Sequence, residues 1–396
     1  MRLHINASER RGKPLPDQDQ AAFGPASVAD VRERLTRVPY RATRLHGLPG
    51  LAARLGLRAV QVKDEGARSA LGSFKALGGA HAVIRLVLRE LGRQLGRPLS
   101  ALDLDDAAVR AAAAGLTITC ATDGNHGRAV AAGAAIAGCR CTVYIHAGVS
   151  AARARAIADQ GAQVVRIDGH YDDAVALANQ EARRQGWHVV SDTSWPGYEE
   201  IPTWVMQGYL IMVSEAIEQA RQAGALPTHV FVQAGVGGYA AAVAAHMALA
   251  LGEAAPRIVV VEPERAACLF ESARCGALRR IAPQEPTLMA MLECYEPSLI
   301  GWRILERRAQ AFMTVDESEA LHALRTLARP VAGDPFVLAG ESGSAGLAGL
   351  LAAAGSPQAR ALLGLDENAV AMVFNTEAAT DPGRYAELLA QAEALA

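Results

Sequence analysis

The chain has 396 residues, 51% of them apolar, which is enough to bury one large core or two unequal ones. A formal charge of -2 offers no basic face to nucleic acid or an anionic membrane, and no window reaches the roughly 20 apolar residues of a spanning helix, so the expected partner is a small molecule. The start Met1-Arg2-Leu3-His4-Ile5-Asn6 lacks the apolar stretch of a signal peptide, and a soluble, cytoplasmic protein is expected.

The first 58 residues, rich in Pro, Arg and Gly, read as an arm with a short helix around Val28 to Thr36. Ala59 to Lys63 is a strand signal, Ser73 to Leu91 is apolar at helical spacing, and a polar linker runs from Gly92 to Asp106. Short strand-like runs then alternate with alanine-rich helical stretches. The runs are 116–120, 141–145, 163–167 and 188–190, then, after a helical segment at 202–223, 229–233, 257–262 and 369–374. That alternation predicts an α/β chain of two domains, each with a largely parallel sheet flanked by helices. The expected division is a large domain of 1–115 and 203–396 and a small one of 116–202.

The 39 basic residues comprise three lysines, Lys13, Lys63 and Lys75, and 36 arginines. Arginine serves wherever only charge is needed, whereas only a primary amine forms an imine with an aldehyde, so each lysine is a candidate for chemistry. The cysteines at 120, 139, 141, 268, 275 and 294 show no metal-site spacing and are expected to be reduced and buried.

Ligands of parallel α/β sheets sit where loops leave the carboxyl ends of strands, and three loops qualify. Thr122-Asp123-Gly124-Asn125-His126-Gly127 lies between a strand and a helix; it reads either as an anion-binding loop or as a turn capped by Asp123. Gln233-Ala234-Gly235-Val236-Gly237-Gly238-Tyr239 reads as a phosphate cup. With Ala240 and Glu262 it equally imitates a dinucleotide fingerprint, which leaves an NAD-dependent oxidoreductase as the alternative class. Asn375-Thr376-Glu377-Ala378-Ala379-Thr380-Asp381 follows the last strand, and Thr376 either faces a heterocycle nitrogen or belongs to a polar turn.

The lysine in Gly72-Ser73-Phe74-Lys75-Ala76-Leu77-Gly78-Gly79, the Asn-bearing glycine loop and the later glycine cup, in that order, resemble the tryptophan-synthase-β family, the fold type II pyridoxal-phosphate enzymes. Within it the chain is similar to the ammonia-lyases of 2,3-diaminopropionate. That similarity includes Lys63-Asp64-Glu65, Ser191-Asp192-Thr193-Ser194-Trp195, Ile201-Pro202-Thr203-Trp204-Val205-Met206-Gln207-Gly208-Tyr209, Gly340-Glu341-Ser342-Gly343 and Thr380-Asp381-Pro382.

The resemblance implies a homodimer that binds pyridoxal 5'-phosphate as a Schiff base on Lys75. It places backbone amides of Gly235, Val236, Gly237, Gly238 and Tyr239 on the phosphate, Asn125 on the phenolic oxygen, Thr376 on the ring nitrogen, and Phe74 and Glu341 beside the cofactor. It implies Thr122, Gly124 and His126 as substrate-binding groups. Asp123 and Asp192 are implied as acid/base groups reaching the α-hydrogen from opposite sides, so that D- and L-diaminopropionate both yield pyruvate and two ammonia. Most relatives carry Ser or Thr where Asp123 stands, and a second substrate ammonium offsets the repulsion between an acid and the substrate carboxylate. A β-replacement synthase and a serine or threonine dehydratase are the alternatives on the same fold. The chain departs from the lyase pattern Ser-Thr-Glu-Gly-Asp-Thr-Asp at Asn375 and at Ala378-Ala379, which removes a carboxylate near the ring-nitrogen end.

Overall fold

Runs of β-branched residues become strands because both faces of each run can be buried under helices. A computed structural model describes residues 1–122 and 124–395. Its strands, among the described residues, are β1 (Arg2–Ile5), β2 (Leu45–Gly47), β3 (Ala59–Asp64), β4 (Thr117–Ala121), β5 (Arg140–Ile145), β6 (Gln163–Arg166), β7 (His188–Val189), β8 (His229–Gln233), β9 (Arg257–Pro263), β10 (Ala309–Val315) and β11 (Val370–Asn375). No helix among them is long and apolar enough to cross a membrane.

The chain divides into two units. The larger comprises Met1–Pro25, Ala42–Ser73 and Met212–Ala396. Its sheet runs β1-β10-β9-β8-β11-β3-β2, parallel from β10 to β3 and closed at both edges by an antiparallel strand. Every residue of β8 and β11 is buried, as the centre of a doubly covered parallel sheet requires. Both antiparallel edges, β1 and β2, come from the segment that reads as an arm. A three- or four-residue edge strand leaves too little alternation to detect, and it protects the sheet from pairing with other chains. Strand β10, Ala-Gln-Ala-Phe-Met-Thr-Val, also escapes the pattern, because alanine and methionine do not distinguish it from the helix Leu299–Arg308 before it.

The smaller unit comprises Ala26–Arg41 and Phe74–Ile211, with the all-parallel order β6-β5-β4-β7. Compared with the expected division, it also takes in the helix Lys75–Leu95 and extends past 202. The reason is close packing of that helix on Asn125–Ala137 and on Glu200–Gly208. A Cβ on Gly79 would lie 2.7 Å from the Ala129 Cβ, one on Gly133 2.8 Å from the Ala80 Cα, and one on Gly208 2.4 Å from the Leu77 carbonyl oxygen. Glycine at these positions lets the helix backbones approach; any side chain would force them apart. The helical run expected at 202–223 is two helices, Glu200–Gly208 and Leu210–Gln222.

In the larger unit a buried ionic cluster anchors β3. The Lys63 ammonium donates to the Thr43 carbonyl at 2.8 Å, to Glu215 at 2.9 Å and to Gln219 at 3.2 Å. Arg68 donates to both oxygens of Glu65 and of Glu215. Three donors on a tetrahedral nitrogen meet three acceptors here, a geometry that a planar guanidinium does not reproduce; this accounts for one of the three lysines. All six cysteines are free, but Cys275 is exposed and Cys139 and Cys294 are only partly covered, where burial was expected. Glu215→Ala leaves two buried cations short of a counter-charge. It is expected to destabilise the protein by about 3–5 kcal/mol, read as a lower urea midpoint; an unchanged midpoint would show that the cluster adds no stability.

Candidate active site

Lys75 is the first residue of its helix, directly after Phe74. Its amine lies 2.5 Å from Asp192 Oδ2 and 5.4 Å from the centroid of the Phe74 ring. Asp192 comes three residues after β7, which pairs with β4. Strand β4 in turn leads to the loop that starts the helix Asn125–Ala137. A sheet contact and a helix contact therefore bring together two charges that are 117 residues apart in sequence.

His126 completes the group. Its Nε2 bonds the Val190 carbonyl at 2.8 Å, and its Nδ1 is 3.9 Å from Asp192 Oδ2. Burial opposes the charge on Asp192, yet the His126 imidazole and the Lys75 ammonium outweigh it and hold the carboxyl well below the usual carboxylate range. Burial also lowers the pKa of His126, against the attraction of Asp192, and the carbonyl it meets makes Nε2 a donor. Asn125 and His126 are both buried. The Thr122 hydroxyl accepts from the Gly124 and Gly127 amides, each at 3.0 Å, so a side chain two residues before Gly124 shapes the loop. Asp123 lies outside the described residues.

Tyr209 was not singled out from the sequence, although it ends the motif 201–209. It lies beside Lys75, and burial, partly offset by Lys75, pushes its pKa up to about 12. Its ring packs against Phe74 with centroids 4.7 Å apart, and a Cβ on Gly78 would come within 2.4 Å of it. A tyrosine following Gly-Gly by 130 residues carries no local signal of this contact.

The larger unit contributes a second group of expected residues. Gly235 and Val236 are partly exposed, and Gly237, at φ +95°, is the N-cap of the helix Gly238–Leu251 with no side chain capping it. A non-glycine residue is strained at that φ, and the first amides of a 14-residue helix point outward there. Tyr239, in the first turn, packs edge-on against Phe374. Thr376 follows β11 and is buried, its hydroxyl accepting from Gln233 Nε2 at 2.9 Å. The loop of Thr376 is pinned by a bridge between Glu377 and Ser73 and by the Ala378 amide on the Gly72 carbonyl, two to three residues before Lys75 in the chain. Glu341 is buried in the adjoining segment, where the Gly340 amide bonds the Glu377 carbonyl.

Glu262 is the acid that the dinucleotide alternative would place on a ribose. It is fully buried, and its two carboxylate oxygens accept from the amides of Leu269 and Phe270 at 2.8 and 2.7 Å. Burial pushes its pKa up to about 8 despite those two amides. It is a helix-capping group, and the dinucleotide alternative loses its acid.

Residues 37–366 match the family described as pyridoxal-phosphate dependent enzyme. The chain is 38% identical over 353 residues to the diaminopropionate ammonia-lyase of Escherichia coli (strain K12), covering 88% of this chain and 87% of that one. It is also 38% identical over 358 residues to the enzyme of the same name from Salmonella typhimurium, covering 88% of each. The fold superposes with a TM-score of 0.88, at 35% identity, on the crystal structure of Escherichia coli diaminopropionate ammonia-lyase in complex with an aminoacrylate-PLP azomethine reaction intermediate, covering 99% of this chain and 97% of that one. Two units with largely parallel, helix-flanked sheets are the fold type II arrangement, and the chain belongs to the pyridoxal-phosphate dependent enzyme family, among its diaminopropionate ammonia-lyases.

Proposed function

We propose that this chain eliminates ammonia from 2,3-diaminopropionate, in its D and L forms, to give pyruvate and a second ammonia. The observation that carries this reading is a primary amine 2.5 Å from a carboxylate that stays ionised, both side chains being partly buried. That pairing places a base beside the atom that bonds the cofactor.

The residues fit pyridoxal phosphate. The uncapped helix start at Gly237 suits a phosphate, the buried Thr376 hydroxyl suits a heterocycle nitrogen, and Asn125 suits a phenolic oxygen. Phe74 and Glu341 are assigned to the cofactor's surroundings. When bound, pyridoxal phosphate supplies an aldehyde for the Lys75 amine and an electron sink for charge at the substrate Cα.

The β-ammonium leaves as ammonia with the protons it already carries, and the Lys75 amine is available for proton transfer at the substrate. Tyr209 packs on Phe74, the residue before Lys75, and stands beside the amine. Asp192 takes the α-proton from one face and Asp123 from the other, and the substrate carboxylate is assigned to the Thr122 loop, in which the Gly124 amide is held by Thr122 and the His126 Nε2 by the Val190 carbonyl. A substrate with a second ammonium is attracted to this pair of acids, whereas a hydroxyl leaving group gains nothing from them. The assembly is assigned as a homodimer on the family resemblance, and light scattering at twice 41.5 kDa checks it. Six free cysteines accord with a cytoplasmic location.

Lys75→Ala is expected to remove the visible absorbance of the holoprotein along with pyruvate formation, and a retained band would overturn the assignment of Lys75. Asp123→Asn and Asp192→Asn are expected to lose opposite isomers, each by roughly 10²–10⁴-fold in kcat/KM; equal loss of both isomers in both variants would make the acids structural. Because folding depresses the Asp192 pKa, its ion pair stabilises the cofactor-free protein fully above the unfolded carboxylate value near about 4 and progressively less as pH falls below it. Unfolding midpoints of wild type and Asp192→Asn are therefore expected to differ at about pH 6 and to converge in acid. A gap independent of pH would argue against the pair.

A further inference from the structure

Gln233 ends β8 and is buried. Its side-chain nitrogen is surrounded by four oxygens: Thr376 Oγ1 at 2.9 Å and the carbonyls of Gly343 at 3.0 Å, Phe374 at 3.1 Å and Ser342 at 3.3 Å. Four acceptors around one nitrogen settle which end of the carboxamide is the NH₂ group, since the carbonyl end would be repelled there. The carboxamide therefore donates to the threonine and cannot accept from it.

A hydroxyl that accepts one bond still has its hydrogen to donate. Among the described residues no acceptor takes the Thr376 hydrogen, although the residue is buried. A buried donor left without an acceptor is costly, so a ligand atom is expected to complete the bond. We infer that Gln233 is a positioning residue: by occupying the Thr376 oxygen as a donor it turns the threonine hydrogen toward the cofactor, so that the ring nitrogen is met by a donor and stays unprotonated. This rests on the assignment of Thr376 to the ring nitrogen.

The carboxamide rather than a carboxylate sets the polarity of Thr376. A carboxylate at 233 would accept the threonine hydrogen and reverse that polarity.

The test is the solid-state nitrogen-15 spectrum of the holoprotein reconstituted with ring-labelled pyridoxal phosphate, together with the cofactor Kd from absorbance titration. Wild type and Thr376→Ser are expected at the unprotonated shift. Thr376→Val and Gln233→Met are each expected to move the shift and to weaken cofactor binding roughly tenfold, the loss of one hydrogen bond, with the double variant no worse than either single. If Gln233→Met does not fold, Gln233→Glu addresses the same point, with the protonated shift expected. A moved shift in Thr376→Val but an unmoved one in the folded Gln233 variant would overturn the role of Gln233 alone. An unmoved shift in Thr376→Val would overturn the assignment of Thr376, and with it this inference.

Discussion

The ion pair between Lys75 and Asp192 is the contact on which the chemistry of this protein depends. A lysine next to a carboxylate in a low-dielectric pocket is held in one place, and the carboxylate is held ionised. The pair exists only because the helix Lys75–Leu95 lies against Asn125–Ala137 closely enough for Gly79 and Gly133 to face Ala129 and Ala80. Widening that contact by one methyl group at either glycine would move the amine relative to a carboxylate that follows the sheet, so packing one helical turn from Lys75 sets its geometry.

His126 and Tyr209 show how burial is used around the pair. Burial lowers the pKa of His126 against the pull of the nearby Asp192. Tyr209 keeps its proton far into the alkaline range and stands beside the lysine without adding charge. The same economy of charge recurs in the larger unit, where every donor of Lys63 has a partner and where Gln233, a neutral amide, joins β8, β11 and the segment 340–344. Charged and amide groups buried in these clusters are held by specific neighbours, which offsets the cost of burying them.

The scarcity of lysine proved informative for two residues and for different reasons. Lys75 presents a reactive amine, whereas Lys63 is a structural ammonium whose three acceptors suit a tetrahedral nitrogen. Lys13 is exposed, and its side chain is given no role. Composition alone placed all three on the same footing; only their surroundings separate them.

The parallel strands were legible in the sequence because a doubly buried strand must be apolar and β-branched, and the glycine loop at 235–237 was legible because a backbone at φ +95° admits little else. Lys75 and the order of the three loops, likewise local features, were enough to indicate the cofactor and the fold class. The edge strands β1 and β2, the break between 208 and 210, the boundary that places Lys75 in the smaller unit, and the roles of Tyr209, Gln233 and Glu262 were decided by the tertiary structure. Each depends on a partner more than a hundred residues away or on a neighbour that is adjacent only after folding, and a periodic pattern along the chain carries no record of which distant oxygen a side chain will meet.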